Sequence, residues 1–132
     1  MVLLIPDAAE VRMLGNIVNK TAPENLVLKL YTNNITPAET DTAATYTEAT
    51  GFGYAAINLT GATWVVTSGA PSNATYPEQV WTFTGALGNV YGYYLIEVTS
   101  TIIKWAERAT SAPINIQTNG SQIKVTPTIT LD

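Results

Sequence analysis

The segment Val90-Tyr91-Gly92-Tyr93-Tyr94-Leu95-Ile96 is apolar at successive positions, with none of the alternation that marks a half-exposed strand. A strand that meets water on one side reads apolar and polar in turn, so a run without that period needs cover on both faces. This segment predicts a central strand, and the rest of the chain must supply the material above and below it. The neighbouring sequence is rich in Thr, whose branched side chain fits a pleated surface better than a helix. Seven Tyr, three Trp and a net charge of −4 argue against disorder, since disordered chains are poor in aromatics and strongly charged.

Period-two alternation begins at Leu26, with Leu26, Leu28 and Leu30 facing one way and Val27, Lys29 and Tyr31 the other. Further strands are predicted over 53–59, 63–67, 79–84, 90–98, 102–108, 114–117 and 122–131. Asn33-Asn34-Ile35-Thr36-Pro37 has turn chemistry, and the polar stretch from Ala38 to Thr50 is expected as a surface loop or a solvent-facing edge strand. Thr99-Ser100 suits a tight antiparallel hairpin between its flanking strands. Asn119-Gly120 is the favoured hairpin pair, here between Ile114-Asn115-Ile116 and the final strand. Pro127 lacks an N–H, which puts that final strand at an edge or a bulge. About eight short strands with turns between them predict an all-β fold, a two-sheet antiparallel sandwich of jelly-roll type whose closure protects its edges.

Ahead of the strands, Pro6-Asp7-Ala8-Ala9-Glu10 reads as a helix start, with Asp7 as N-cap and Glu10 closing a capping box. The helix should reach about Val18, with Val11, Leu14 and Val18 on one face and Met13 and Ile17 on an adjoining stripe. Pro23 breaks it. Residues 1–24 are therefore expected to form a short N-terminal helix or arm, and 25–132 a β-sandwich domain. An apolar face of this width has to be buried, either on its own domain or on a partner. The candidate interface residues are Val2, Leu3, Leu4, Ile5, Val11, Met13, Leu14, Ile17 and Val18. The apolar start is too short to cross a bilayer and lacks the basic region of a signal peptide, so synthesis and use in the cytoplasm without a membrane partner are expected.

Chemistry has little to work with. The chain has no His and no Cys, which removes Ser-His and Cys-His nucleophiles, thiolate metal sites and the commonest metal ligand. Two carboxylate pairs remain, Glu39 with Asp41 and Glu97 with Glu107. The first lies in a Thr-rich loop, where acids stay solvated. The second is expected to flank Lys104 and Arg108 on an exposed face. No catalytic, metal or cofactor-binding residue is predicted. Trp64, Trp81, Trp105, Tyr91, Tyr93 and Tyr94 could stack sugar rings, but aromatics inside periodic segments are usually core or interface. A pI of about 4.6 with six scattered basic residues argues against nucleic acid, whose backbone is bound by clustered Lys and Arg. Only 12% of residues are charged, against about 25% in typical soluble domains. Association is the function that such a surface leaves.

Four blocks, "MVLLIPDAAEVRML", "LVLKLYTNNITPAETDTAATYTEATGFGYAA", "VYGYYLIEV" with "IKWAERA", and "NGSQIKVTPTITLD", resemble a family of small virion-associated proteins of tailed phages. Together they cover most of the chain. The most distinctive are Leu30-Tyr31-Thr32-Asn33-Asn34 with its Thr-Pro-Ala follow-on, and Val90-Tyr91-Gly92-Tyr93-Tyr94 followed by Trp105-Ala106-Glu107. The resemblance implies a non-enzymatic capsid decoration or cement protein on the outer surface of the virion, made in the bacterial host cytoplasm. It would bind the major capsid protein and assemble as a homo-oligomer, a trimer by analogy with other cement proteins. A tail or neck component of the virion, or a glycan-binding module, is the alternative.

Overall fold

The computed structural model describes residues 3–131. Strand β1 (Leu3–Leu4) leads into helix α1 (Asp7–Ile17), and eleven strands follow: β2 (Leu26–Tyr31), β3 (Ile57–Leu59), β4 (Val65–Thr67), β5 (Ser72–Thr75), β6 (Gln79–Thr82), β7 (Gly88–Val90), β8 (Gly92–Glu97), β9 (Ile103–Arg108), β10 (Ile114–Ile116), β11 (Gln122–Val125) and β12 (Thr128–Leu131). The main sheet has five strands in the order β1-β9-β8-β2-β3. Two-stranded ladders β10-β7 and β11-β6 and a three-stranded sheet β12-β5-β4 complete the architecture. Every pairing is antiparallel. The chain is thus mostly β with one short helix, as its residue pattern predicts.

The doubly apolar segment is central, as expected, and all six residues of β8 are buried. Its two faces feed two cores. Tyr93 and Leu95 join Leu28, Leu30 and Trp105 on one side, packed against Trp81, Phe83, Ile116 and Ile123 from the smaller ladders and their connections. Tyr94 and Ile96 join Tyr31, Ile103 and Ala106 on the other. That second side is closed by the polar stretch after β2, where Tyr46 stacks on Tyr94 with ring centroids 4.8 Å apart. The stretch from Ala38 to Thr50 is a surface loop rather than an edge strand, but one anchored to the core at two points. Tyr46 and Ala49 are buried, and Asn33 pins the segment by accepting from Thr47 N–H at 2.8 Å and donating to Thr45 C=O at 2.9 Å.

Several boundaries differ from expectation for identifiable reasons. The helix has Pro6 as its N-cap, with no side-chain cap, and Asp7 is its first residue. Asp7 N–H donates to Glu39 C=O at 3.0 Å, so a tertiary bond satisfies the donor and the Asp7–Glu10 capping box does not form. The segment 90–98 divides at Tyr91 into the end of β7 and all of β8, which pair with different partners. The last strand likewise divides at Pro127 into β11 and β12. Asn119-Gly120 does make a tight turn, with Gly120 at φ +88°, but not a hairpin. β10 pairs with β7 and β11 with β6, because Phe83 captures the turn itself: Gly120 N–H donates to Phe83 C=O and Phe83 N–H to Ser121 C=O. Thr99-Ser100 does lie between antiparallel β8 and β9, but the connection spans residues 98–102 rather than a two-residue turn, and the pairing has an irregularity between Leu95 and Ile96. β5 falls outside the strands that the residue pattern predicts, since Ser72-Asn73-Ala74-Thr75 has no apolar alternation.

Candidate functional site

Helix α1 is the element whose packing departs most from a simple amphipathic reading. Ala9 is buried, and Arg12, Met13 and Asn16 are half-buried, a set at i, i+3, i+4 and i+7 that faces the domain. The apolar stripe lies on the other side. Val11, Leu14, Ile17 and Val18 are 72%, 63%, 77% and 68% exposed. The helix is docked by its small and polar face, with its branched aliphatic residues in solvent.

What holds it that way is a charge network around Glu97. Its side chain is fully buried. Arg12 Nε approaches its carboxylate at 2.8 Å, Lys104 Nζ at 3.0 Å, and Ser100 donates its hydroxyl to it. Arg12 also reaches Glu24 at 2.7 Å through Nη2, and Glu24 in turn accepts from the backbone N–H groups of Thr99 and Ser100 at 2.7 and 3.1 Å. One guanidinium thus ties α1 to the β8–β9 connection and to the chain leading into β2. An exposed face was expected for Glu97; the structure puts it inside, where only a cationic clamp makes an ionised carboxylate tenable.

Burial alone would raise the Glu97 carboxyl, but the bonds from Arg12, Ser100 and Lys104 and the Lys104 charge outweigh it and leave it below the ordinary range near 4.5. Glu24 is lowered as well, by the Ser100 and Thr99 N–H groups. A group depressed in the folded state stabilises fully above its unfolded value and loses that contribution as pH falls through its folded value. Helix docking is therefore expected to be pH-independent between about pH 5 and 7 and to weaken progressively below about pH 4. Hydrogen exchange of the α1 amides against pH checks this, and Glu97→Gln should flatten the acid slope.

The other sequence candidates resolve as follows. Val2 lies outside the described residues. Leu3 and Leu4 pair with Glu107 and Ala106 of β9, Leu3 and Ile5 pack on the first core, and Met13 lines a cavity of about 250 Å³ between helix and sheet. These residues are engaged by the domain itself, which leaves Val11, Leu14, Ile17 and Val18 as the free set. Asp41 is occupied by Tyr46 Oη at 2.7 Å and Ala38 N–H at 2.8 Å, while Glu39 stays exposed. Glu107 stands opposite Tyr93, four positions along β8 from Glu97, so the second carboxylate pair is not brought together. Trp81, Trp105, Tyr93 and Tyr94 are buried, Trp64 packs edge-on against Tyr76 and Trp105, and Tyr91 lies under the Arg108 guanidinium. The six aromatics serve packing rather than an open platform. Among the described residues, no group of three acidic side chains is placed to hold a metal ion, and no helix is long and apolar enough to cross a membrane.

Arg12 is the functional residue that the sequence pattern did not single out. Its signal was present in the i, i+3, i+4, i+7 set Ala9, Arg12, Met13 and Asn16, which has meaning only once Glu97, at the end of an apolar strand, is taken as buried.

The chain matches no family model, no curated protein and no solved structure.

Proposed function

We propose that this chain is a non-enzymatic structural protein of a tailed-phage virion, a decoration or cement protein that docks on the major capsid lattice through the outward stripe of α1. The observation that carries this reading is that stripe, four branched aliphatic residues turned to solvent on a helix that its own domain fixes in place. Burying a side chain of this kind contributes about 1.5–3 kcal/mol, so four supply a useful gross driving force against the cost of association. Repeated over a symmetric lattice, modest affinity per copy becomes firm attachment. The β-domain is, within this reading, a two-sheet sandwich of jelly-roll type. The packing of Trp81, Phe83, Ile116 and Ile123 across the face of the main sheet supports that layering. A homotrimer on the outer capsid surface is the assembly proposed.

Deletion of everything before Leu26 is a poor test, because it removes β1 from the main sheet and Arg12 from Glu97. Leu14→Asp and Ile17→Asp change only exposed positions. Each is expected to lower occupancy on purified particles at least about tenfold, with circular dichroism and thermal midpoint unchanged. Undiminished occupancy in both variants would remove the stripe from the interface. A cryo-electron map of the particle distinguishes head from neck or tail placement.

A further inference from the structure

A second feature lies away from α1. Between the β8–β9 face and the strands β10 and β11 is a pocket of about 270 Å³ to which no α1 residue contributes. Leu30, Val90, Tyr93, Ile114, Ile123 and Val125 give it apolar walls, and one carboxylate, Glu107, lines it. Glu107 is half-buried and accepts the Tyr93 hydroxyl. Burial and that bond push the Tyr93 hydroxyl far above its ordinary value, so it remains a donor and never competes as an anion. A carboxylate offers two oxygens with about four lone-pair sites, and Tyr93 uses one.

Glu107 differs from the other glutamates that are not exposed. Glu24, Glu48 and Glu97 each have a Lys or Arg nitrogen at 3.0 Å or closer. Among the described residues, no cation reaches salt-bridge distance of Glu107. Lys124 stands at the pocket rim, but it is exposed and its ammonium lies 4.0 Å from Glu78. Arg108, the next residue in β9, is committed to Ile35 C=O, Asn34 and the Tyr91 ring.

We propose that this pocket receives a lysine or arginine side chain from a partner protein. The aliphatic stem lies along the apolar walls, as such stems do when their charged head is satisfied elsewhere, and the head group donates to the Glu107 oxygen that Tyr93 leaves open. A charge-assisted bond in a partly desolvated pocket is stronger than a neutral one. A neutral donor of the same shape lacks the attraction between opposite charges, and an anion is repelled. The inference does not depend on the virion reading, because its test needs no particle.

The probes are Nα-acetyl-lysine methylamide, pentylammonium, pentanol and pentanoate, titrated into the whole chain and followed by amide chemical shifts. The two cations are expected to shift the resonances of Tyr93, Glu107 and Ile123 and to bind at least about tenfold more tightly than pentanol or pentanoate. Glu107→Gln keeps the volume and the Tyr93 bond, and is expected to abolish that preference while leaving the thermal midpoint nearly unchanged. Lys124→Ala removes a like charge from the rim and should leave cation binding equal or tighter. Pentanol binding as well as pentylammonium, a preference for pentanoate, cation affinity unchanged in Glu107→Gln, or cation binding lost in Lys124→Ala would each overturn the proposal.

Discussion

Replacing Arg12 by methionine should lower stability by about 3 kcal/mol, a loss far beyond that of an ordinary helix-surface substitution. Glu97 is fully buried, and removing one partner of a buried charge is costly because the other stays in a poor solvent. Lys104 and Ser100 remain with Glu97, which keeps the loss toward the lower end for such changes. Methionine retains most of the aliphatic packing of the arginine stem, so the change isolates the charge. Urea unfolding should show a lower midpoint with the same slope. Adding Glu97→Gln to Arg12→Met should recover part of the loss, because it removes the stranded charge. The consequence reaches function as well. Without the guanidinium α1 loses its charged anchor and keeps only the Asp7–Glu39 bond and the burial of Ala9, so the helix is freer to roll Leu14 and Ile17 onto its own domain. Association should then fall although no stripe residue has changed. An unchanged urea midpoint would reduce the network to surface decoration and leave the helix orientation without a cause.

The strands that can be read from residue order are those whose side chains face two different environments or two equally dry ones. β2 shows period two because Leu28 and Leu30 enter one core and Tyr31 the other, with Val27 packed against it. β8 shows none because both its faces are covered. β5 carries no such imprint: all four of its residues are half-buried, and Ser72-Asn73-Ala74-Thr75 shows no apolar alternation. The strand pairings were less legible than the strands. Asn119-Gly120 encodes a turn, but the partners of the strands on either side are decided by Phe83 and by the ladders β6 and β7 contribute. The helix was legible in its position and not in its orientation. Hydrophobic periodicity located an apolar stripe correctly and said nothing of which side faces home, because one buried ion pair outweighs the pattern when it is strong enough to dock the opposite face. The segments Leu30 to Asn34 and Val90 to Tyr94 meet in the main sheet with the end of β9: Tyr31 pairs with Gly92, and Arg108 donates to Asn34.

That meeting point sets the largest expected effect in the molecule. Gly92→Ala, the smallest possible enlargement, should cost more than about 4 kcal/mol or prevent folding altogether. Gly92 sits in β8 between Tyr31 of β2 and Arg108 of β9. A Cβ there would lie 2.0 Å from the Glu107 carbonyl oxygen and 2.7 and 2.8 Å from Oη and Cε1 of Tyr31. Neither neighbour can yield cheaply. The carbonyl belongs to the backbone of a strand paired on both sides, and the Tyr31 ring is fully buried, packed on Tyr46 and Tyr94. The demand is for space rather than for an unusual dihedral, which separates Gly92 from Gly120. Gly120 has φ +88° and nothing within 4 Å of an added Cβ, so Gly120→Ala should cost only about 1–2 kcal/mol, the strain of a left-handed alanine. Chemical denaturation of the two variants side by side measures the difference. Combining Gly92→Ala with Tyr31→Phe removes the hydroxyl contact but leaves the carbonyl contact, and should not restore stability. Recovery in that double variant would mean that the tyrosine, not the crossing of two backbones, makes glycine obligatory at the centre of this sheet.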